Sequence, residues 1–161
     1  DNLQECGFDF FWTFDDLAYK EGTMFSLEVW DSIFSIPIKK VADHIKIPWV
    51  FHSDGNIMPL LDRLAALGMS GIHPLEPGAM DLGALKKNYG EKLCLIGNVD
   101  IDHTLTNASK DEVFACVKEK MDLLGAGGGF IISDSNSIPD YCNPQNIEYM
   151  AQAVEMYRHI Y

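Results

Sequence analysis

Pro48-Trp49-Val50-Phe51-His52-Ser53-Asp54-Gly55-Asn56, with Leu60, Leu61, Leu64 and Leu67 close behind and Gly68 after them, decides how the chain is read. A short apolar run, 48–51, predicts a strand. It ends in a polar cluster. The four leucines share one face at helical spacing, which predicts a helix over 58–67, stopped by Gly68. Strand, polar loop, helix is one βα unit. The same pattern recurs on both sides. Strands are predicted at 8–13, 70–73, 93–96 and 128–132, and helices at 27–45, Leu82–Tyr89, Lys110–Leu124 and 144–161. No hairpin signal interrupts them, so the expected sheet is parallel with right-handed crossovers. Five such units can make an open doubly wound sheet or the larger part of an eight-fold barrel, and periodicity alone does not choose.

Local details sharpen some elements. Ser26 is a candidate N-cap for 27–45, whose apolar residues Ile33, Ile38, Val41 and Ile45 fall near helical spacing. Pro37 should kink or divide that helix. Residues 19–26 read as a loop. Asp81 and Asn143 are candidate caps, and Ser109 with Glu112 fits a capping box. Val113, Val117, Met121 and Leu124 form one expected buried stripe. Ile147, Met150, Ala151, Val154 and Tyr157 form another. Gly125-Ala-Gly-Gly-Gly129 lies between a helix and the following strand, the wrong side for a phosphate cradle, and reads as a turn. Phe8, Phe10, Phe11, Trp12, Tyr19, Trp30 and Trp49 could line a pocket, though most should be core.

The 161 residues carry a net charge of −12, with 47% apolar and 22% charged side chains. That is ordinary for a globular domain. It argues against nucleic acid and against an anionic membrane surface, both of which need clustered Lys and Arg. Arg63 and Arg158 are the only arginines, and both fall on predicted helices. No apolar run is long enough to span a bilayer. The start, DNLQECGFDF, lacks a basic n-region and reads as an internal cut through a longer chain. Cys6, Cys94, Cys116 and Cys142 are widely spaced without a CxxC pair. With the α/β pattern, they are expected to be reduced thiols in the cytoplasm.

Polar residues that packing does not explain follow the strands: Asp15 and Asp16, His52 and Asp54, Glu76, Asn98 and Asp100, Asp134 and Asn136. In a (β/α)8 barrel these loops open on one face, where active sites sit. Asp and Asn also cap helices and form turns. Capping, however, does not select His52 or Glu76. His52 and Asp54 alternate with Ser53, so both can point into a common cup. Imidazole and carboxylate bind zinc and other divalent ions, and Glu76 can supply a third ligand. The alternative for His52 and Asp54 is a hydrogen bond that orders the loop. Asp15-Asp16 is a carboxylate pair in which one pKa can rise, as acid–base work requires.

Phe14-Asp-Asp-Leu-Ala18, His52-Ser-Asp-Gly-Asn56, Gly97-Asn-Val-Asp100 with Leu105, Gly128-Gly-Phe-Ile-Ile-Ser133 and Pro144-Gln-Asn-Ile147 fall in the order seen in the uroporphyrinogen decarboxylase superfamily. The resemblance extends over essentially the whole chain. It implies a TIM (β/α)8 barrel of which residues 1–161 are a partial domain. The five βα units would correspond to strands four to eight, with the first three units missing. A barrel open at two edges invites pairing, so the segment is expected to belong to a larger enzyme or to pair with a second copy as a homodimer.

The resemblance implies two branches. One comprises corrinoid-dependent methyltransferases that use zinc, with the corrinoid supplied by a partner protein. The other is uroporphyrinogen III decarboxylase, which acts on a tetrapyrrole without metal or cofactor. His52 matches the zinc histidine of the first branch, and Glu76 matches its intervening glutamate. Asp54 stands where that branch has its first cysteine. Asn136 stands where it has its last cysteine and where the decarboxylase has histidine. The resulting expectation is a methyltransferase-like enzyme with His52, Asp54 and Glu76 as metal ligands. Asp16, His52 and Asp134 would be its catalytic groups, and Asp15, Asn98, Asp100 and Asn136 would bind a small-molecule or tetrapyrrole substrate.

Overall fold

A computed structural model describes residues 2–159. In chain order it contains α1 (Asn2–Glu5), β1 (Phe11–Phe14), β2 (Ala18–Tyr19), β3 (Gly22–Thr23), α2 (Leu27–Val29), a π-helical turn (Trp30–Phe34) and α3 (Ser35–Ala42). Then come β4 (Trp49–His52), a 3-10 turn (Met58–Leu60), α4 (Leu61–Ala66), β5 (Gly71–His73), α5 (Leu82–Tyr89), β6 (Cys94–Val99), α6 (Lys110–Leu124), β7 (Phe130–Asp134) and α7 (Pro144–Tyr157).

The main sheet has five parallel strands in the order β1-β4-β5-β6-β7. Each strand therefore pairs with the next one in sequence. A doubly wound sheet needs a point where the order reverses, and there is none in this sheet. Unreversed right-handed crossovers place their helices on a single face, so the sheet is a sector of a (β/α)8 barrel.

Residues on the helix side of the strands form the core. Trp49, Phe51, Ile72 and Leu95 meet Trp30, Leu60, Leu61, Leu64 and Leu85 from the helices. A second cluster joins Val99, Leu105, Val117, Met121, Cys142 and Ala153 around α6 and α7. Removing any of the fully buried leucines costs roughly 2–5 kcal/mol by loss of transfer energy and creation of a cavity. The capping box forms as expected: Ser109 accepts from the Glu112 backbone N–H, and the Glu112 carboxylate accepts from Ser109 N.

Several sequence expectations need correction. The segment read as a loop, 19–26, holds most of a small antiparallel hairpin, β2–β3, which starts at Ala18 opposite Thr23. Its Lys20-Glu21 turn lacks the Asn-Gly or Asp-Gly pair that marks a hairpin in sequence. The helix predicted over 27–45 is interrupted by the π turn, in which the Ser35 N–H bonds the Trp30 carbonyl five residues back. Pro37 has no N–H to give the carbonyl of Ile33, so regular α-helical bonding is already broken nearby. The extra residue shifts the apolar phase. Trp30, Phe34, Ile38 and Ala42 face the core, whereas Ile33 and Val41 are exposed.

On α7, Ala151 is exposed and Asn146 is buried instead. The Asn146 amide donates to the carbonyls of both Thr104 and Ala108, which fixes the rotation of the helix. The last residues predicted for this helix, Ile160 and Tyr161, lie outside the described residues. Strand β6 runs three residues beyond its predicted end, to Val99.

The aromatic cluster is also not core. Phe8, Phe10, Trp12, Phe14 and Tyr19 are all exposed, while Trp30 and Trp49 are buried. Alternation along β1 explains part of this. Phe11 packs against the core, and Trp12 and Phe14 point to the opposite face, the barrel interior. Among the described residues, little covers that face.

Candidate functional site

Register builds the site. Phe14, His52 and His73 occupy matched positions at the ends of three adjacent parallel strands. Neighbouring strands stand about 4.8 Å apart, and the His52 and His73 ring centroids are accordingly 4.9 Å apart. Their Nδ1 atoms lie 2.6 Å from each other. Past the strand ends the ladder continues, with Asp15 N donating to His52 O and Ser53 N to His73 O. Ser53, fully buried, accepts from Leu17 N and ties the two loops together.

That framework sets Asp16, His52 and Asp54 side by side. Each offers one ligand atom, and the three atoms lie within 4.8 Å of one another. Asp16 Oδ1 accepts from Asp54 N at 3.0 Å. Asp54 Oδ2 accepts from Asn136 Nδ2 at 2.8 Å, a contact that spans the sheet from β4 to β7. Asp54 Oδ1 lies 3.7 Å from His52 Nε2 and is buried without a hydrogen-bond donor. A buried carboxylate oxygen without a donor is costly, and a cation would satisfy it. The donor set of one imidazole and two carboxylates suits zinc in a nitrogen–oxygen site or a harder divalent ion.

Glu76 does not join this group. Its carboxylate accepts from Gly55 N at 3.2 Å and pairs with Lys20 at 3.5 Å, which turns it toward the β2–β3 hairpin. Asp16, expected as a catalytic group, takes the third place instead.

A cavity of about 800 Å³ opens beside the cluster. It is lined by Trp12, Phe14, Asp15, Asp16, His52, His73, Ser133, Asp134 and Asn136, among others. Asp15, Asp134 and Asn136 thus face this cavity. Asn98 and Asp100 do not line it. Asn98 is 2% exposed and donates to the Leu75 carbonyl. Asp100 accepts from the backbone of Asp102 and His103, ordering the turn after β6, and borders a smaller polar pocket with Asp54 and Glu76.

Electrostatics separate the groups. Burial pushes Asp54 up from the usual carboxylate range; His52 and the Asn136 amide oppose the shift, and Asp16 and Glu76 add to it. Burial also raises Asp134. Burial, with the His52 ring beside it, drives the His73 imidazole down to about 4.

For Asp134 the sign is definite. A raised carboxyl holds its proton more firmly in the folded state, so the stability it contributes is present at low pH. That contribution is lost as pH rises through the raised value. Asp134→Asn is therefore expected to raise the urea midpoint at pH 7, with the gain shrinking below the ordinary carboxylate range. A gain that did not change between pH 7 and pH 3 would contradict this account.

Sequence reasoning missed His73 and Phe14 among the cavity's lining residues, and named Trp12 only as one of several aromatics that could line a pocket. His73 was visible only as the last residue of a short strand before Pro74. Its partnership with His52 requires the register.

The family model for uroporphyrinogen decarboxylase (URO-D) matches residues 2–157. No curated protein sequence matches the chain. Among solved structures, a methyltransferase from Methanosarcina mazei superposes with a TM-score of 0.77 at 22% identity, over 97% of this chain. The chain spans 44% of the length of that structure. No helix among the described residues is long and apolar enough to cross a membrane. With the family model matching nearly end to end and the barrel sector in place, the chain belongs to the uroporphyrinogen decarboxylase (URO-D) family.

Proposed function

We propose that the chain is part of a metal-assisted enzyme that transfers a methyl group to or from a corrinoid held by a partner protein. The observation that carries this reading is the cluster of Asp16, His52 and Asp54 around a buried carboxylate oxygen that has no donor. The methyltransferase from Methanosarcina mazei, similar in fold, supports the choice of reaction class. A divalent cation held by the three side chains would act as a Lewis acid on the heteroatom that gives or takes the methyl group. Asn136 holds Asp54 in place through its amide. Asp134, with its raised pKa, faces the cavity and can hold a proton for the leaving heteroatom. Trp12 and Phe14 offer an apolar wall, and Asp15 a polar contact, to a small substrate.

The test uses the intact protein. Metal analysis should find a divalent ion, and a chelator should abolish methyl transfer between a methylated substrate and a corrinoid protein. Adding the metal back should restore it. Conversion of uroporphyrinogen to coproporphyrinogen by metal-free protein would overturn the proposal in favour of the decarboxylase.

A further inference from the structure

The cavity beside the metal cluster is one-sided in its chemistry. Trp12 and Phe14 form an aromatic wall, two residues apart on β1 and both directed to the barrel interior. Phe14 is 80% exposed and Trp12 43%, so ring surface is bare there. Apart from the two histidines, the ionisable groups that line the cavity are Asp15, Asp16 and Asp134, and none of the chain's 12 lysines and arginines borders it. Lys20 is turned to Glu76 and borders the smaller pocket instead. Asp16 belongs to the metal cluster. Asp15 does not, and among the described residues its carboxylate has no ion-pair or hydrogen-bond partner. The wall stands next to the cluster, because Phe14 is paired in register with His52 on the neighbouring strand.

Three kinds of occupant fare differently against that wall. A neutral apolar tail covers the rings but strips water from the Asp15 carboxylate with nothing to replace it. An anionic tail meets the same carboxylate with like charge. A cationic tail is attracted by the ring quadrupoles and by Asp15 at once, the combination that holds quaternary ammonium groups. We infer that the substrate is a small molecule with a cationic ammonium end, held by Trp12, Phe14 and Asp15, a few atoms from the heteroatom that gives or takes the methyl group. The short separation follows from the strand spacing of about 4.8 Å between Phe14 and His52. An ammonium has no lone pair for a metal, so the two ends of the substrate are different groups: the heteroatom meets the cluster and the ammonium meets the wall. The inference deepens the metal-assisted reading and rests on it for the heteroatom end, whereas the cation subsite can be observed without metal.

The experiment compares choline with 3,3-dimethylbutanol, its uncharged carbon isostere, and with isethionate, an anionic counterpart. Binding to the intact protein is measured by calorimetric titration, with and without saturating zinc. The expected result is a preference for choline over the isostere of about 5- to 30-fold, the range for a cation held by aromatic rings, with isethionate weakest. In Trp12→Leu and Phe14→Leu the preference should fall toward one while the isostere binds much as before, because leucine keeps apolar surface without the quadrupole. Asp15→Asn should weaken choline and spare the isostere. Equal affinity for choline and the isostere in the wild type overturns the inference, even if a leucine variant fails to fold. So does tighter binding of isethionate. A preference that survives undiminished in all three variants places the cation on the metal carboxylates and also overturns it. If choline is preferred through Trp12 and Phe14 but the protein binds no zinc, the metal reading falls and the cation subsite stands. If zinc binds and choline is not preferred, the cation subsite alone falls.

Discussion

His52→Ala is expected to weaken divalent-metal binding by more than about 100-fold, beyond the loss seen when only an outer-shell partner of a ligand is removed. His52 is the sole nitrogen donor of the cluster, and its Nε2 approaches the orphaned oxygen of Asp54. The cost to the fold should be small, on the order of 1 kcal/mol, because the side chain is part-exposed at a strand end and not packed in the core. Isothermal titration with zinc, alongside urea denaturation of the same preparations, separates the two effects. Unchanged zinc affinity in a folded His52→Ala protein would remove this histidine from the site.

Gly55→Ala should damage both stability and site. Gly55 has φ +83°, and a Cβ there would lie 2.4 Å from the Ala18 carbonyl oxygen and 2.8 Å from that of Tyr19. Those neighbours are backbone atoms of β2, so they cannot rotate away as a side chain would. Left-handed strain and overpacking together imply a loss of roughly 2–6 kcal/mol. Relief would require β2 to move off the loop that carries Asp54, breaking the bonds from Gly55 N to Glu76 and from Asn56 N to Tyr19. The expected outcome is a lower urea midpoint together with weaker zinc binding. A variant as stable as the parent would show that the hairpin does not press on this loop.

The two substitutions probe different layers. The first removes a donor from a preserved frame. The second displaces the frame and leaves every donor in the sequence. Loss of binding in both, with a large loss of stability only in the second, is the pattern that ties the β2–β3 hairpin to the geometry of the cluster.

Much of the fold was legible from one dimension. Leu60, Leu61 and Leu64 marked a helix face, and Ser109 with Glu112 marked a helix start, because capping and amphipathic periodicity are local consequences of residue type. The parallel class followed from alternation of such elements. Legibility failed where a local signal was absent or overridden. The Lys20-Glu21 turn carries no hairpin signature, and the π turn at Trp30–Phe34 shifted a helical phase that was otherwise read from spacing.

The candidate site divides in the same way. His52, Asp54, Asp16, Asp134 and Asn136 stood out because ionisable and amide side chains gathered just after apolar strands. Which of them meet was a question of pairing across distant segments. Asn136 reaches Asp54 from 82 residues away, and Glu76 turns aside to Lys20 and the Gly55 amide. His73 became visible only when β4 and β5 were laid in register. Residue type and spacing determined the elements, the parallel class and the stock of chemical groups, because those depend on neighbours along the chain. Only the tertiary structure decided the partners of each group, because strand register and loop packing bring together atoms that no local pattern connects.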